Sequence, residues 1–213
     1  MLEAHAAHEP IRTWKDFFTH VATICVGLLI AIGLEQSVEY FHHRHQLREA
    51  RQELALEVEV NKAKIGKTLE AVQKEAAMLE TDMASLRASQ GIHDPTWPKL
   101  EYSWRGPEWP EDWAWKVLRQ SGSLVLMPHN ELRRYSYLYD GIAAVQVAFM
   151  AYAEQSDIAE SLAQRSAGAK VLPSDIQEML AATAQCQGRL KFFVSALRLE
   201  QIGLDAASRH LRD

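Results

Sequence analysis

Residues 17–34 read FFTHVATICVGLLIAIGL and contain no Asp, Glu, Lys or Arg. Because a helix rises 1.5 Å per residue, a stretch of this length spans about 27 Å, close to the roughly 30 Å hydrocarbon core of a bilayer. The stretch therefore predicts a transmembrane helix. We place this helix at residues 14–41, after a short N-terminal tail at residues 1–13.

Aromatic and basic side chains flank the apolar stretch, as is typical of the membrane–water interface. Thr13 is placed to cap the start of the helix, with Asp16 as a capping-box partner three residues later. The predicted interface residues are Trp14, Tyr40, Phe41, His42, His43 and Arg44.

Three other interpretations of the stretch compete with a membrane anchor. A cleaved signal peptide fits the small residues of Ala31-Ile32-Gly33, but the preceding leader is long and contains Glu3 and Glu9. A buried helix of a soluble core is possible because the strictly apolar run covers only residues 21–34. An interfacial helix is disfavoured because the stretch lacks a polar face. The membrane anchor is the favoured interpretation.

One face of the predicted membrane helix repeats every four residues. It carries Thr23, Gly27, Ala31 and Glu35. Small residues at this spacing let two membrane helices approach closely, so the face predicts self-association. An oligomeric pore lined by this face is an alternative. The plainer interpretation is that small residues are common in membrane helices and that Glu35 reaches the lipid headgroups.

The charges beside the helix leave the side of the C-terminal domain undetermined. Arg12, Lys15 and the terminal amine flank the apolar stretch on its N-terminal side, whereas Arg44, Arg48 and Arg51 flank it on the C-terminal side. The positive-inside rule leans towards a cytoplasmic C-terminal domain by a margin of only one or two charges.

Residues 42–213 predict an all-α domain. From His42 to Ser89 there is no proline, and apolar residues recur every three or four positions, with Asn61 filling the one gap. One nearly continuous helix is therefore expected from Trp14 to Ser89, ending near Gly91.

The rest of the chain predicts two further long helices and shorter pieces, which complete an antiparallel bundle. The bundle includes a Trp/Pro-rich connection at residues 91–128. A short helix is predicted from Pro110 to Gln120, ending before Gly122, and an extended segment or turn from Leu124 to Met127. The first long helix runs from an Asn130 N-cap to Ser166. The second begins at Ser174, with Gln177 completing a capping box.

The connection holds five of the six tryptophans. Clustered aromatic side chains can pack over one end of a bundle, form a surface for a partner, or line a ligand pocket. Packing is the favoured interpretation. The candidate partner or ligand surface consists of Trp97, Trp104, Arg105, Trp109, Trp113 and Trp115.

The sequence contains weak candidates for a metal site and no signature of an enzyme. Glu39, His42, His43 and His45 could ligate zinc or copper, but an interfacial collar that contacts lipid headgroups is the favoured interpretation. Phosphate-binding loops, nucleophile elbows, zinc-protease motifs and paired C-x-x-C motifs are missing. No catalytic residue, metal or cofactor is therefore assigned.

Composition narrows the class of partner. The 213 residues carry a formal net charge of −5, and 24% of them are charged. Nucleic-acid binding requires a concentrated basic face, which this balance argues against.

Two parts of the sequence resemble an uncharacterised family of bacterial single-pass inner-membrane proteins with a helical C-terminal domain. One is the stretch from His20 to Glu57, and the other comprises the Trp-Ala-Trp, Ser-Gly and tyrosine-rich elements between Trp113 and Tyr139. The resemblance covers about half of the chain. It implies a bacterial inner-membrane location and no activity.

The expected function is that of a non-enzymatic, membrane-anchored interaction or scaffold protein. The expected partners are the lipid bilayer, further copies of the chain and another membrane protein. A membrane-bound ligand-sensing module with a pocket at the Trp-rich connection is the first alternative, and the oligomeric pore is the second.

Overall fold

The computed structural model describes residues 13–92, 100, 106–166 and 170–210. No β-strand occurs within these ranges, which confirms the all-α prediction. The elements are α1 (Trp14–Ala88), α2 (Trp113–Gln120), a short 3-10 helix (Ser123–Leu126), α3 (His129–Ser166) and α4 (Pro173–His210).

Both ends of α1 follow the sequence signals. The Thr13 backbone N–H donates to Asp16 Oδ2 over 3.2 Å, and the Asp16 N–H donates to Thr13 Oγ1 over 3.4 Å, which confirms the capping box. Three residues after the helix ends, Gly91 adopts φ +76°, a left-handed conformation that favours glycine.

The segment from Leu124 to Met127 is a 3-10 turn followed by an extended Met127, as predicted. Three other predicted details are wrong. The short helix α2 begins at Trp113 and not at Pro110. The Pro128 carbonyl accepts the N–H groups of Glu131 and Leu132, so α3 begins before Asn130. The capping box of α4 joins the Leu172 N–H to Asp175 Oδ2 over 2.8 Å, which allows Pro173 to occupy the first helical position.

The chain divides into two compact units, residues 1–48 and 49–213. The first unit contains the apolar part of α1, whose side chains are exposed from residue 13 to residue 42. An 18-residue window of α1 is long and apolar enough to cross a membrane, and none of that window is buried inside the protein. Signal sequences, which also lie near the N-terminus, share the length and apolar composition of this window.

In the second unit, α1 packs against α3 and α4. Contacts from α1 to α3 advance together along both helices, from Arg51–Glu131 to Glu75–Tyr152, so this pair is parallel. Lys62 of α1 instead pairs with Asp205 near the end of α4, whereas Leu86 packs against the start of α4, so this pair is antiparallel. The prediction of a wholly antiparallel arrangement is therefore wrong for α1 and α3.

The reason for the parallel pair is the path of the connection. Residue 108 contacts α1 at Lys67, and residue 114 contacts it at Glu57, so this part of the connection runs back along α1. It thereby returns the chain to the end of the domain where α3 begins.

The buried face of α1 follows a heptad in which one of the two core positions is polar. The apolar position is occupied by Val58, Ile65, Val72, Leu79 and Leu86. The polar position, here called the polar seam, is occupied by Asn61, Thr68, Glu75 and Asp82. All nine side chains are less than 5% exposed. Buried polar groups favour positions where they find hydrogen-bond partners, and Asn61 and Glu75 find theirs outside α1. These partners help to fix which segments can pack on α1.

Candidate functional site

Buried polar groups of α1 hold the connection in place. Asn61 is fully buried, and its side chain makes two hydrogen bonds with the backbone of Glu111. The Glu111 N–H donates to Asn61 Oδ1 over 2.6 Å, and Asn61 Nδ2 donates to the Glu111 carbonyl over 2.7 Å. Lys64 and Lys67 add ion pairs to Glu111 and Glu108. The Asn61 side chain therefore holds this segment against α1, which explains why a polar residue stands in the apolar pattern.

Glu57 joins the start of α2 to α3. Its Oε2 accepts the backbone N–H of Ala114 over 2.7 Å, which caps the first turn of α2. Its Oε1 accepts the hydroxyl of Tyr139 over 2.5 Å. Burial, together with the adjacent Glu57, raises the pKa of Tyr139. The Tyr139 ring also stacks on Trp115, with centroids 5.0 Å apart and planes 6° apart.

A second buried carboxylate lies further along the polar seam. The Tyr152 hydroxyl donates to Glu75 Oε1 over 2.7 Å. Burial raises the pKa of Glu75, and the hydrogen bond from Tyr152 acts in the opposite direction. Burial also raises the pKa of the nearby Cys186 thiol to about 11, which keeps it protonated and makes it a poor nucleophile.

A large apolar groove, here called the groove, lies between α1, α3 and α4. Its volume is about 1330 Å³. Small residues of α3 and α4, including Gly141, Ala144, Ser195 and Gly203, leave this space open. Large apolar side chains that are more than half exposed also line it: Tyr137, Phe192, Leu199 and Ile202.

Polar side chains line the end of the groove next to the start of α3. Arg51 and Glu131 form a bidentate pair there, with Nε–Oε1 and Nη2–Oε2 distances of 2.8 and 2.6 Å. The hydrogen bond to Glu131 raises the pKa of Arg51. Arg134 lies at the same end and is exposed.

Glu200 of α4 also lines the groove, but its side chain is buried and only 5% exposed. Its Oε1 has no hydrogen-bond partner among the described residues. Burial raises the pKa of Glu200 from 4.5 to about 7. An unpaired buried carboxylate is costly, and such groups concentrate at functional sites.

Gly141 of α3 makes room for this carboxylate. A Cβ at position 141 would lie 1.9 Å from Glu200 Oε2 and 3.0 Å from Glu200 Cδ. The Glu200 carboxylate therefore packs directly against the α3 backbone, where only glycine leaves enough space.

The residues predicted to mediate helix association all lie exposed on α1. No described residue buries Thr23, Gly27, Ala31 or Glu35. A Cβ at Gly27 would meet no described atom within 4 Å, so this face leaves room for another helix. Thr23 Oγ1 donates to the Thr19 carbonyl over 2.9 Å, so its hydroxyl is already bonded within the helix.

The predicted interface residues and the histidine cluster lie on the same helix. Trp14, Tyr40 and Phe41 are exposed, as is Arg44. His43 Nε2 lies 3.8 Å from Glu39 Oε1, and the rings of His42 and His43 are 6.5 Å apart. Together with His45 these are the candidate metal ligands. Within the described ranges, no group of three His, Cys, Asp or Glu side chains is arranged to hold a metal ion.

The tryptophans of the connection have different environments. Trp97, Trp104 and Arg105 lie outside the described residues. Trp115 is buried, as the packing interpretation predicts, whereas Trp113 is 66% exposed. The Trp109 ring meets Phe149 edge-on at 4.8 Å.

A second, smaller hollow lies beside α2. Its volume is about 440 Å³. It is lined by Trp113, Ala114, Val117 and Leu118 of α2 and by Glu49, Gln52 and Glu53 of α1. This hollow borders Trp113 of the Trp-rich connection, whereas the groove is about three times larger and is lined mainly by α3 and α4.

Nothing matched this chain in comparisons with protein-family models, with curated proteins or with solved structures. The family resemblance of the sequence therefore stays a prediction.

Proposed function

We propose that this chain is a single-pass, membrane-anchored interaction protein without catalytic activity. The proposal depends on one observation: the apolar window of α1 is entirely unburied, although the same helix builds a core further along. Exposed apolar surface of this extent is unfavourable in water and favourable in a bilayer. The bacterial inner membrane is the proposed location.

The proposed anchor also self-associates through the face that carries Gly27 and Ala31. Small residues on an exposed membrane helix permit close packing between copies of the chain. The C-terminal helical bundle then binds partners, through the accessible groove or through the surface that carries the exposed Trp113.

Cysteine crosslinking tests the self-association. In a Cys25→Ser background, Gly27→Cys and Ala31→Cys are compared in membranes with Leu29→Cys, which lies about 200° around the helix from position 27. Cys186 is buried and stays in place. We expect disulfide-linked dimers at positions 27 and 31 and at least about fivefold less at position 29. Equal crosslinking at all three positions, or monomer alone, would contradict a specific face.

Ligand sensing is the second candidate function, and the cavities of the helical domain favour it. The groove is larger than the usual 300–1,000 Å³ of small-molecule sites, and its walls are mostly apolar with a few polar groups. The pore alternative is tested by liposome flux: a flux that Glu35→Gln leaves unchanged would argue against a role for Glu35.

A further inference from the structure

The groove combines three properties that together define a ligand class. It is open along apolar walls that include Phe192, Leu199 and Ile202. It contains the buried carboxylate of Glu200, whose Oε1 has no hydrogen-bond partner in the part of the chain that the structure describes. The bound part of a ligand must therefore be mainly apolar and must bring a group that satisfies this carboxylate.

The cations that line the groove do not supply that group. Arg51 is committed to Glu131 through two short hydrogen bonds, so this pair is neutral as a whole. Arg134 is exposed near the start of α3. Burial alone shifts the pKa of Glu200, so Arg134 does not act as its counter-ion. The charged groups lining the groove are Arg51, Glu131, Arg134 and Glu200.

We propose that the groove binds an apolar ligand that carries one protonated amine, with Glu200 as its counter-ion. The ammonium group donates a charge-assisted hydrogen bond to the carboxylate, while the apolar part covers the exposed side chains of α3 and α4. Gly141 is a positioning residue, because a methyl group there would displace the carboxylate.

The test uses the full chain in phosphatidylcholine nanodiscs, with empty nanodiscs as the blank. Octylamine, octanol and octanoate share one chain length and differ in the charge of the head group. Calorimetric titration at pH 8, where Glu200 is ionised and octylamine is protonated, should show one octylamine bound per chain. We expect an affinity at least about tenfold higher for octylamine than for octanol.

Glu200→Gln keeps the shape of the side chain and removes its charge. We expect this variant to bind octylamine no better than octanol, with octanol binding unchanged. Gly141→Ala should lose the same preference, and circular dichroism establishes whether each variant keeps its helices. At pH 5.5 the wild-type preference for octylamine should fall at least about fivefold, because Glu200 becomes protonated.

Three results would overturn the proposal. The wild type could bind octylamine and octanol equally, or Glu200→Gln could leave octylamine binding unchanged. A preference of the wild type for octanoate would instead point to Arg134. The crosslinking experiment reports on residues 27–31 of the membrane helix. Failure of the amine site can therefore be told apart from failure of the proposed self-association.

Discussion

Replacement of Glu57 by alanine should lower the free energy of unfolding of the helical domain by about 4 kcal/mol. The change deletes the acceptor for two buried donors, the Ala114 N–H and the Tyr139 hydroxyl, and leaves a cavity beside Trp115. Both donors would then be buried without partners. Urea unfolding of the full chain in nanodiscs, followed by circular dichroism, measures the change.

Two further variants make this prediction specific. Glu57→Gln retains one acceptor oxygen, so its cost should be about half of that of alanine. Glu70→Ala removes an exposed glutamate of the same helix and should change the stability by less than about 0.5 kcal/mol. A Glu57→Ala variant as stable as Glu70→Ala would show that the carboxylate does not hold α2 and α3 together.

The second large effect is a pH dependence of stability that originates at Glu200. Burial raises the pKa of Glu200 from 4.5 to about 7 in the folded protein. The unfolded chain therefore releases this proton at lower pH than the folded chain does. Stability is lost as the pH rises from about 4.5 to 7 and is constant above, and the loss amounts to about 3 kcal/mol.

Glu200→Gln removes this loss, so the variant should gain about 3 kcal/mol relative to the wild type between pH 4.5 and pH 8. Urea unfolding at several pH values measures the difference between the two proteins, which cancels the titration of other groups. Glu154→Gln, an exposed glutamate of α3, serves as the matched control. A wild-type-to-variant difference that is the same at pH 5 and pH 8 would contradict the buried, unpaired carboxylate.

Most helix boundaries could be predicted because their signals are local. Thr13 and Asp16 lie three residues apart, and a glycine follows each of α1 and α2. The start of α4 was missed because two pairs of residues have the three-residue spacing of a capping box. These pairs are Ser174 with Gln177 and Leu172 with Asp175, and the structure uses the second. Proline at position 173 was the signal that favours the earlier start.

The parallel pairing of α1 and α3 could not be read from periodicity. It depends on where the connection docks, and that position is set by single contacts such as Asn61 with the Glu111 backbone. The sequence contained a hint, because Asn61 interrupts an apolar stripe at a position that belongs to the core. Its partner, however, is a backbone group 50 residues away.

The groove was missed for a related reason. Glu200 lies three residues after Leu197 and four before Leu204, so it occupies a core position of α4. A charged residue on an apolar seam is the signal that could have identified it. The space around it depends on small residues from both α3 and α4, and their juxtaposition follows only from the packing of the two helices.

We propose that the apolar part of α1 stays in the chain and anchors it in a bilayer. Washing cell membranes at alkaline pH and then measuring the intact mass of the protein tests this anchor. We expect the protein in the membrane pellet with residues 17–34 still attached. Recovery in the soluble fraction, or a chain cleaved after Gly33, would contradict the anchor.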